Sequence, residues 1–92
     1  MSNIDPTAIV SPDVEIGADV TIGPFAIVEE GVTIGDHCVL LSHSIIRKKS
    51  ILGAQVRVDS FAVVGGDPQD LSFDPTVESG VKIGERVVIR KG

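Results

Sequence analysis

Two histidines and one cysteine have side chains that could serve as metal ligands, bases or nucleophiles. His37 and His43 are six residues apart, and Cys38 lies between them. A zinc site needs three or more protein ligands, and a reactive thiol needs a base beside it. We therefore predict no metal site, place the histidines at the surface or at a subunit contact, and interpret Cys38 as a small buried apolar residue.

A basic cluster, Arg47-Lys48-Lys49, contrasts with the formal net charge of −5 of the whole chain. Such a cluster suits contact with an acidic partner protein, but three consecutive charges more often form a solvated face, which is our prediction. The acidic balance argues against nucleic acid or an anionic membrane as a partner, because binding phosphates requires a basic stripe.

Membrane insertion and secretion are not predicted from the sequence. No apolar run approaches the roughly 18 residues that span a bilayer. The first six residues contain neither the basic region nor the apolar region of a secretory leader, and a single cysteine excludes an internal disulfide framework. We expect a cytoplasmic protein without a cofactor.

These residues lie within a repeat of six. From Ile4 to Val64 every sixth residue is aliphatic. The series is Ile4, Val10, Ile16, Ile22, Val28, Ile34, Leu40, Ile46, Leu52, Val58 and Val64. The residue four positions after each of these is small or short-branched until Pro68 breaks the pattern. A helix has a period of 3.6 residues and a flat strand a period of 2, so neither explains a period of six.

One large and one small inward residue in every six predict short strands joined by corners. Three repeats then form one triangular coil, and His37 and His43 fall on adjacent faces. Aromatic residues make up only 3% of the chain, so β-branched side chains must fill the interior. We expect the glycines that follow the large residue to relieve unusual dihedral angles at the corners. They are Gly17, Gly23, Gly35, Gly53 and Gly65. The prediction is one all-β domain, residues 1–92, of a little over four coils.

The six-residue register breaks after Gln69 and resumes out of step at Val77. An insertion between two intact stretches of repeat predicts a loop, residues 70–76, that protrudes from one corner. Loops on repeat scaffolds usually carry specificity. We expect Leu71 and Phe73 to pack this loop against the coils or against a neighbouring subunit.

The repeat resembles that of the hexapeptide-repeat proteins, which fold as left-handed parallel β-helices. The resemblance implies the handedness, because parallel crossovers are otherwise right-handed. Four segments further resemble the bacterial UDP-N-acetylglucosamine O-acyltransferases over the whole chain. They are Asp5-Pro6-Thr7-Ala8-Ile9-Val10, Ile22-Gly23-Pro24-Phe25, Leu41-Ser42-His43 and Gly66-Asp67-Pro68-Gln69-Asp70-Leu71. That resemblance implies transfer of a 3-hydroxyacyl chain from acyl carrier protein to the sugar 3-hydroxyl, the first step of lipid A synthesis.

The same resemblance implies a substrate site in the predicted loop. Asp70 matches the family aspartate that contacts the glucosamine ring, where a carboxylate accepts hydrogen bonds from sugar hydroxyls and positions the acceptor. Gln69 matches a neighbouring position that helps to shape the nucleotide pocket. Ser72 departs from the family, whose basic residue at this position suits a phosphate, so the pyrophosphate contact is either lost or made by another residue.

The general base of the family is a histidine several coils further along, followed by a helical domain. Deprotonating a sugar hydroxyl needs a group whose pKa lies near neutrality, and a carboxylate such as Asp70 is too acidic unless strongly perturbed. The 92 residues end before that histidine would appear. We therefore predict the N-terminal β-helix portion of the acyltransferase, without a catalytic residue and inactive as it stands.

A second hypothesis is a non-catalytic scaffold that self-associates laterally and end to end. Val87, Val88 and Ile89 would be uncovered at one end, and burying each stabilises the protein by about 1.5–3 kcal/mol. The family resemblance implies a homotrimer, so a trimer or two stacked trimers is the expected state. Ice binding is disfavoured because the threonines share no face, and carbonic anhydrase chemistry is disfavoured because a third histidine is missing.

Overall fold

The computed structural model describes residues 2–65 and 81–91. Regular structure in these ranges consists of thirteen two-residue strands, with no helix and therefore none that could cross a membrane. The strands are β1 (Asn3–Ile4), β2 (Ile9–Val10), β3 (Glu15–Ile16), β4 (Thr21–Ile22), β5 (Ile27–Val28), β6 (Thr33–Ile34), β7 (Val39–Leu40), β8 (Ile45–Ile46), β9 (Ile51–Leu52), β10 (Arg57–Val58), β11 (Val63–Val64), β12 (Lys82–Ile83) and β13 (Val88–Ile89).

Successive strands belong to three parallel sheets in turn. Face A is formed by β1, β4, β7, β10 and β13, face B by β2, β5, β8 and β11, and face C by β3, β6, β9 and β12. The chain therefore turns a corner after every strand and returns to the same face three strands later. The predicted all-β architecture, a left-handed parallel β-helix of six-residue repeats, is confirmed.

Coils stack so that each strand pairs with the strand three repeats away in the sequence. Ile4 lies opposite Ile22, Ile22 opposite Leu40, and Leu40 opposite Val58. Backbone amides in one coil donate to carbonyls in the next, as the amide of Thr21 does to the carbonyl of Cys38 at 2.9 Å. Because each central strand bonds to strands above and below it, short strands still satisfy their backbone groups.

The interior holds the two inward residues that the repeat predicts. Fourteen apolar side chains of the described residues are buried, and the large aliphatic residue of each central strand is at most 3% exposed. Ser44 and Ser50 occupy the small inward position without any exposure. The hydroxyl of Ser44 donates to the carbonyl of Leu41 at 2.8 Å, whereas the Ser50 hydroxyl has no partner among the described residues.

The corners use residues in the left-handed region of backbone space. In the described part of the chain, eight non-glycine residues have φ between 55° and 65°, and each lies three positions after the inward aliphatic residue. They are Asp19, Phe25, His37, His43, Lys49, Gln55, Phe61 and Arg86. Gly31 takes the equivalent position with a φ of 72°. The residues with left-handed dihedral angles thus lie two positions after the glycines at which the sequence predicts such angles.

The role predicted for Gly17, Gly23, Gly35 and Gly53 is therefore wrong. None of the four has a positive φ, and only Gly65, at φ 131°, fits the prediction. The four glycines instead allow neighbouring coils to approach closely. A Cβ atom on Gly35 would lie 2.7 Å from the carbonyl carbon of Gly53 in the next coil.

The described strands also reveal the break in the repeat. In the regular part of the helix Leu52 pairs with Ile34, three repeats before it. On its other side Leu52 pairs with Ile83, which is much further away in the sequence. The chain between Val64 and Ile83 is therefore longer than one six-residue step. The loop predicted at 70–76 and the repeat predicted to resume at Val77 lie outside the described residues and stay predictions.

Close stacking of the coils predicts opposite outcomes at two glycines in the same column. Gly35→Ala should lower the free energy of unfolding by roughly 1–3 kcal/mol, because the new methyl group meets backbone that cannot move freely. Gly84→Ala is the matched control. A Cβ there meets no described atom within 4 Å, and the stiffer unfolded chain should leave the stability unchanged or raise it by about 0.4–1 kcal/mol. Urea unfolding measures both variants, and equal effects would contradict the proposed role of the glycine column.

Candidate functional site

The residues predicted to contact substrate, Gln69 and Asp70, lie outside the described residues. The structure does show where the chain that carries them departs and returns. Face B ends with β11 and Gly65, and the next described strand is β12 on face C. The predicted site therefore belongs to a segment of the chain that follows face B and precedes face C.

The corner between faces B and C is strongly charged. Arg47 donates from its Nε to the Glu29 carboxylate at 3.1 Å, and the backbone amide of Lys48 donates to the same oxygen at 2.9 Å. Lys48 and Lys49 are exposed, which confirms the predicted solvated cluster, whereas Arg47 is half-buried. A side chain at Gly65 would collide with Arg47. Arg47 therefore packs directly against Gly65, the last residue described before the segment that carries the predicted loop.

The two histidines lie at different corners, as their spacing predicted. The His37 Nδ1 is 3.9 Å from a carboxylate oxygen of Asp19, at the corner between faces C and A. His43 lies at the corner between faces A and B, and its ring stacks on those of Phe25 and Phe61. Within residues 2–65 and 81–91, no three histidine, cysteine or acidic side chains group as metal ligands do.

Cys38 is buried, as the repeat predicted. Its side chain has no exposure, and its Sγ donates to the carbonyl oxygen of Gly53 at 3.0 Å. Burial raises the pKa of the Cys38 thiol. Because the nucleophilic form of cysteine is the thiolate, this environment suppresses reactivity.

An aromatic stack that the sequence analysis did not detect runs along the corner between faces A and B. It consists of Phe25, His43 and Phe61, whose successive ring centroids are separated by 5.2 and 4.9 Å. Both phenylalanines are more than half exposed. The signal that could have revealed this stack in the sequence is an aromatic or imidazole ring at the same repeat position in three successive coils.

Beside this stack, face B presents an outward column made only of aliphatic residues. Its members, which we call the aliphatic column, are Ile9, Ile27, Ile45 and Val63. Ile9 is 65% exposed and Val63 is 54% exposed. The outward residues of the other two faces are mixed: Asn3, Thr21, Val39, Arg57 and Val88 on face A, and Glu15, Thr33, Ile51 and Lys82 on face C. Ile27 and Ile45, in the middle of the column, are half-buried. An apolar strip of this kind typically marks an interaction surface.

Comparison with known proteins relates this chain to a group of enzymes. A family model for the bacterial transferase hexapeptide, described as six repeats, matches residues 13–48. The acyl-(acyl-carrier-protein)–UDP-N-acetylglucosamine O-acyltransferases of Brucella ovis and Brucella canis are each 41% identical to this chain over 91 residues, or 97% of its length. The chain is homologous to part of these enzymes. It spans 32% of their length.

Solved structures agree with this relationship. The UDP-N-acetylglucosamine acyltransferase of Arabidopsis superposes with a TM-score of 0.73 at 27% identity, covering 92% of this chain and 28% of that one. The Campylobacter jejuni acyltransferase superposes with a TM-score of 0.78 over 97% of this chain and 44% of that one. At 23% identity, the second comparison supports the fold alone.

The burial of Cys38 predicts slow reaction with a thiol reagent. In the folded protein at pH 8, Ellman's reagent should modify Cys38 at least about 100-fold more slowly than in urea-unfolded chain, since labelling requires local opening. Absorbance at 412 nm follows both reactions. Similar rates in the two states would contradict the buried position.

Proposed function

We propose that this chain is the N-terminal β-helix portion of a UDP-N-acetylglucosamine 3-O-acyltransferase. The enzyme transfers a 3-hydroxyacyl chain from acyl carrier protein to the sugar 3-hydroxyl, the first step of lipid A synthesis. The observation that carries this proposal is the 41% identity to such enzymes over 97% of the chain. We propose the complete activity only for a protein as long as these relatives, because this chain spans 32% of their length.

Within that enzyme, Asp70 and Gln69 contribute to binding of the acceptor sugar. A carboxylate accepts hydrogen bonds from sugar hydroxyls and orients the one that reacts, so its contribution is positioning. Arg47 packs against Gly65, the last residue described before the segment that carries both residues, and Lys48 and Lys49, the next two residues after Arg47, are exposed. These cations supply the charge that an acidic acyl carrier protein requires of its partner.

The 92 residues by themselves do not catalyse transfer. Removing the proton of the sugar hydroxyl requires a general base within hydrogen-bond reach. His37 and His43 are this chain's histidines, and neither lies at the corner between faces B and C. The His37 Nδ1 lies 3.9 Å from a carboxylate oxygen of Asp19, and the His43 ring lies between two phenylalanine rings. We propose that the base belongs to sequence that the relatives have beyond this part.

The protein is proposed to assemble as a homotrimer, or as two stacked trimers, in the cytoplasm. The aliphatic column supports lateral association because it runs parallel to the helix axis, so a rotation axis parallel to the helix buries all of it at once. The same column favours the second candidate function, a non-catalytic scaffold, since lateral association requires no substrate. Binding of UDP-N-acetylglucosamine distinguishes the acyltransferase portion from the scaffold.

Titration with UDP-N-acetylglucosamine tests the sugar site. Millimolar ligand should give saturable heat by calorimetry, and Asp70→Ala should weaken binding by about tenfold, because hydrogen bonds to a charged group are worth about 1.5–3 kcal/mol. Asp74→Ala, in the same predicted loop, is the control and should bind within about twofold of the parent. No detectable binding at millimolar concentration would favour the scaffold.

Sedimentation equilibrium tests the aliphatic column. The parent chain should sediment as a trimer, and the double variant Ile9→Glu/Val63→Glu should sediment as a monomer, because burying an unpaired carboxylate costs several kcal/mol. The control is Ile51→Glu, a similarly exposed isoleucine on face C, which should leave the trimer intact. A monomeric parent, or equal dissociation by the control, would contradict the proposed interface.

A further inference from the structure

An open pocket of about 500 Å³ lies at the corner between faces A and B, on the side of face A. Its lining comes from three successive coils: Leu41, Arg57, Asp59, Ser60, Arg90 and Lys91. None of these residues belongs to the predicted sugar site, which consists of Gln69 and Asp70. The pocket therefore needs an explanation of its own.

The charge of this pocket is opposite to that of the protein. Arg57, Arg90 and Lys91 contribute three positive charges and Asp59 one negative charge, so its described lining carries a formal charge of +2, while the whole chain carries −5. Clustered cations repel one another, and an anion between them relieves that repulsion. The local excess of cations favours an anionic ligand.

The donors in the pocket are only partly occupied. Arg57 donates from its Nε to Asp59 at 3.3 Å, which leaves its two terminal amino groups available. Arg90 forms no ion pair with any described residue, and the Lys91 ammonium lies 5.8 Å from the centre of the Phe61 ring. The Ser60 hydroxyl, 3.2 Å from that of Ser42, adds a neutral hydrogen-bonding group.

The strand register places Arg57 and Arg90 on adjacent coils, and both line the pocket. Arg57 begins β10, and Arg90 directly follows β13, which pairs with β10 so that Val58 lies opposite Ile89. Such diagonal neighbours on adjacent strands are roughly 7–8 Å apart at their Cα atoms, within reach of two long side chains. Two arginine side chains that line one pocket suit a phosphate group, which accepts paired hydrogen bonds from a guanidinium.

We propose that this pocket binds a phosphate group, carried either by a small metabolite or by a lipid headgroup. Arg57 and Arg90 supply the bidentate contacts, Lys91 swings from the Phe61 ring to add a third cation, and Ser60 donates a hydrogen bond. This proposal uses none of the residues of the proposed sugar site and does not depend on it.

Inorganic pyrophosphate is the probe for the first test. In ¹⁵N-labelled protein, the arginine Nε–H signals of Arg57 and Arg90 should shift saturably as pyrophosphate is added, and Arg90→Gln should weaken the affinity by about tenfold or more. Arg86→Gln is the matched control, because this arginine lies at another corner with its Nε bonded to Gln55. The control should bind within about twofold of the parent.

Three outcomes would overturn the proposal: no saturable shift, equal shifts at all arginines, or equal weakening by Arg86→Gln. Both replaced side chains are exposed, and an unchanged circular dichroism spectrum verifies that each variant is folded.

A second experiment, vesicle flotation, decides whether the phosphate belongs to a lipid headgroup or to a small metabolite. A lipid headgroup is identified if the protein floats with vesicles that contain phosphatidic acid but not with vesicles of pure phosphatidylcholine. The Arg90→Gln variant should then lose this flotation. Saturable pyrophosphate binding without flotation identifies a small metabolite.

Discussion

Every inner coil of this protein is bonded through its backbone to the coil before it and the coil after it, and that requirement governs the rest of the structure. The amide of Gly35, for example, donates to the carbonyl of Leu52 at 2.8 Å. The regular coils form such bonds because each turns three corners in the same number of residues, and the pairing of Leu52 with Ile83 continues them across the longer connection. The left-handed backbone of residues such as Phe25 and His43 makes those turns, and the cost of that conformation is offset by the bonds and burial that regular stacking provides.

The same register arranges the surface in vertical columns, so that residues separated by a whole coil in the sequence become neighbours in space. Glu29 lies beneath Arg47 at one corner, three rings stack at another, and four aliphatic side chains align on face B. The character of such a column depends on which residues the sequence repeats at one position of successive coils: it is aliphatic on face B and mixed on faces A and C. This arrangement suits a protein whose proposed roles are to hold a substrate loop and to contact other chains.

The relationship to the acyltransferases and the geometry of the corners bear on different parts of the function. Sequence identity connects the chain to enzymes that act on UDP-N-acetylglucosamine. The structure adds that Arg47 packs against Gly65, the last residue described before the segment that carries Asp70, and that both histidines lie at other corners. Positioning of a substrate and the chemistry performed on it are thus assigned to different regions of the proposed enzyme.

The sequence by itself determined the architecture, because a repeat of six with one large and one small aliphatic residue is satisfied by few other folds. Inward residues such as Leu40 and Cys38 were predictable from that periodicity, since burial selects their size and polarity. The role of Gly35 was not predictable, because the atoms that exclude a Cβ belong to the next coil. Nor was the pocket formed by Arg57 and Arg90. These two arginines are far apart in a sequence whose repeat is interrupted between them, and only the strand pairing across that interruption decides that they are neighbours.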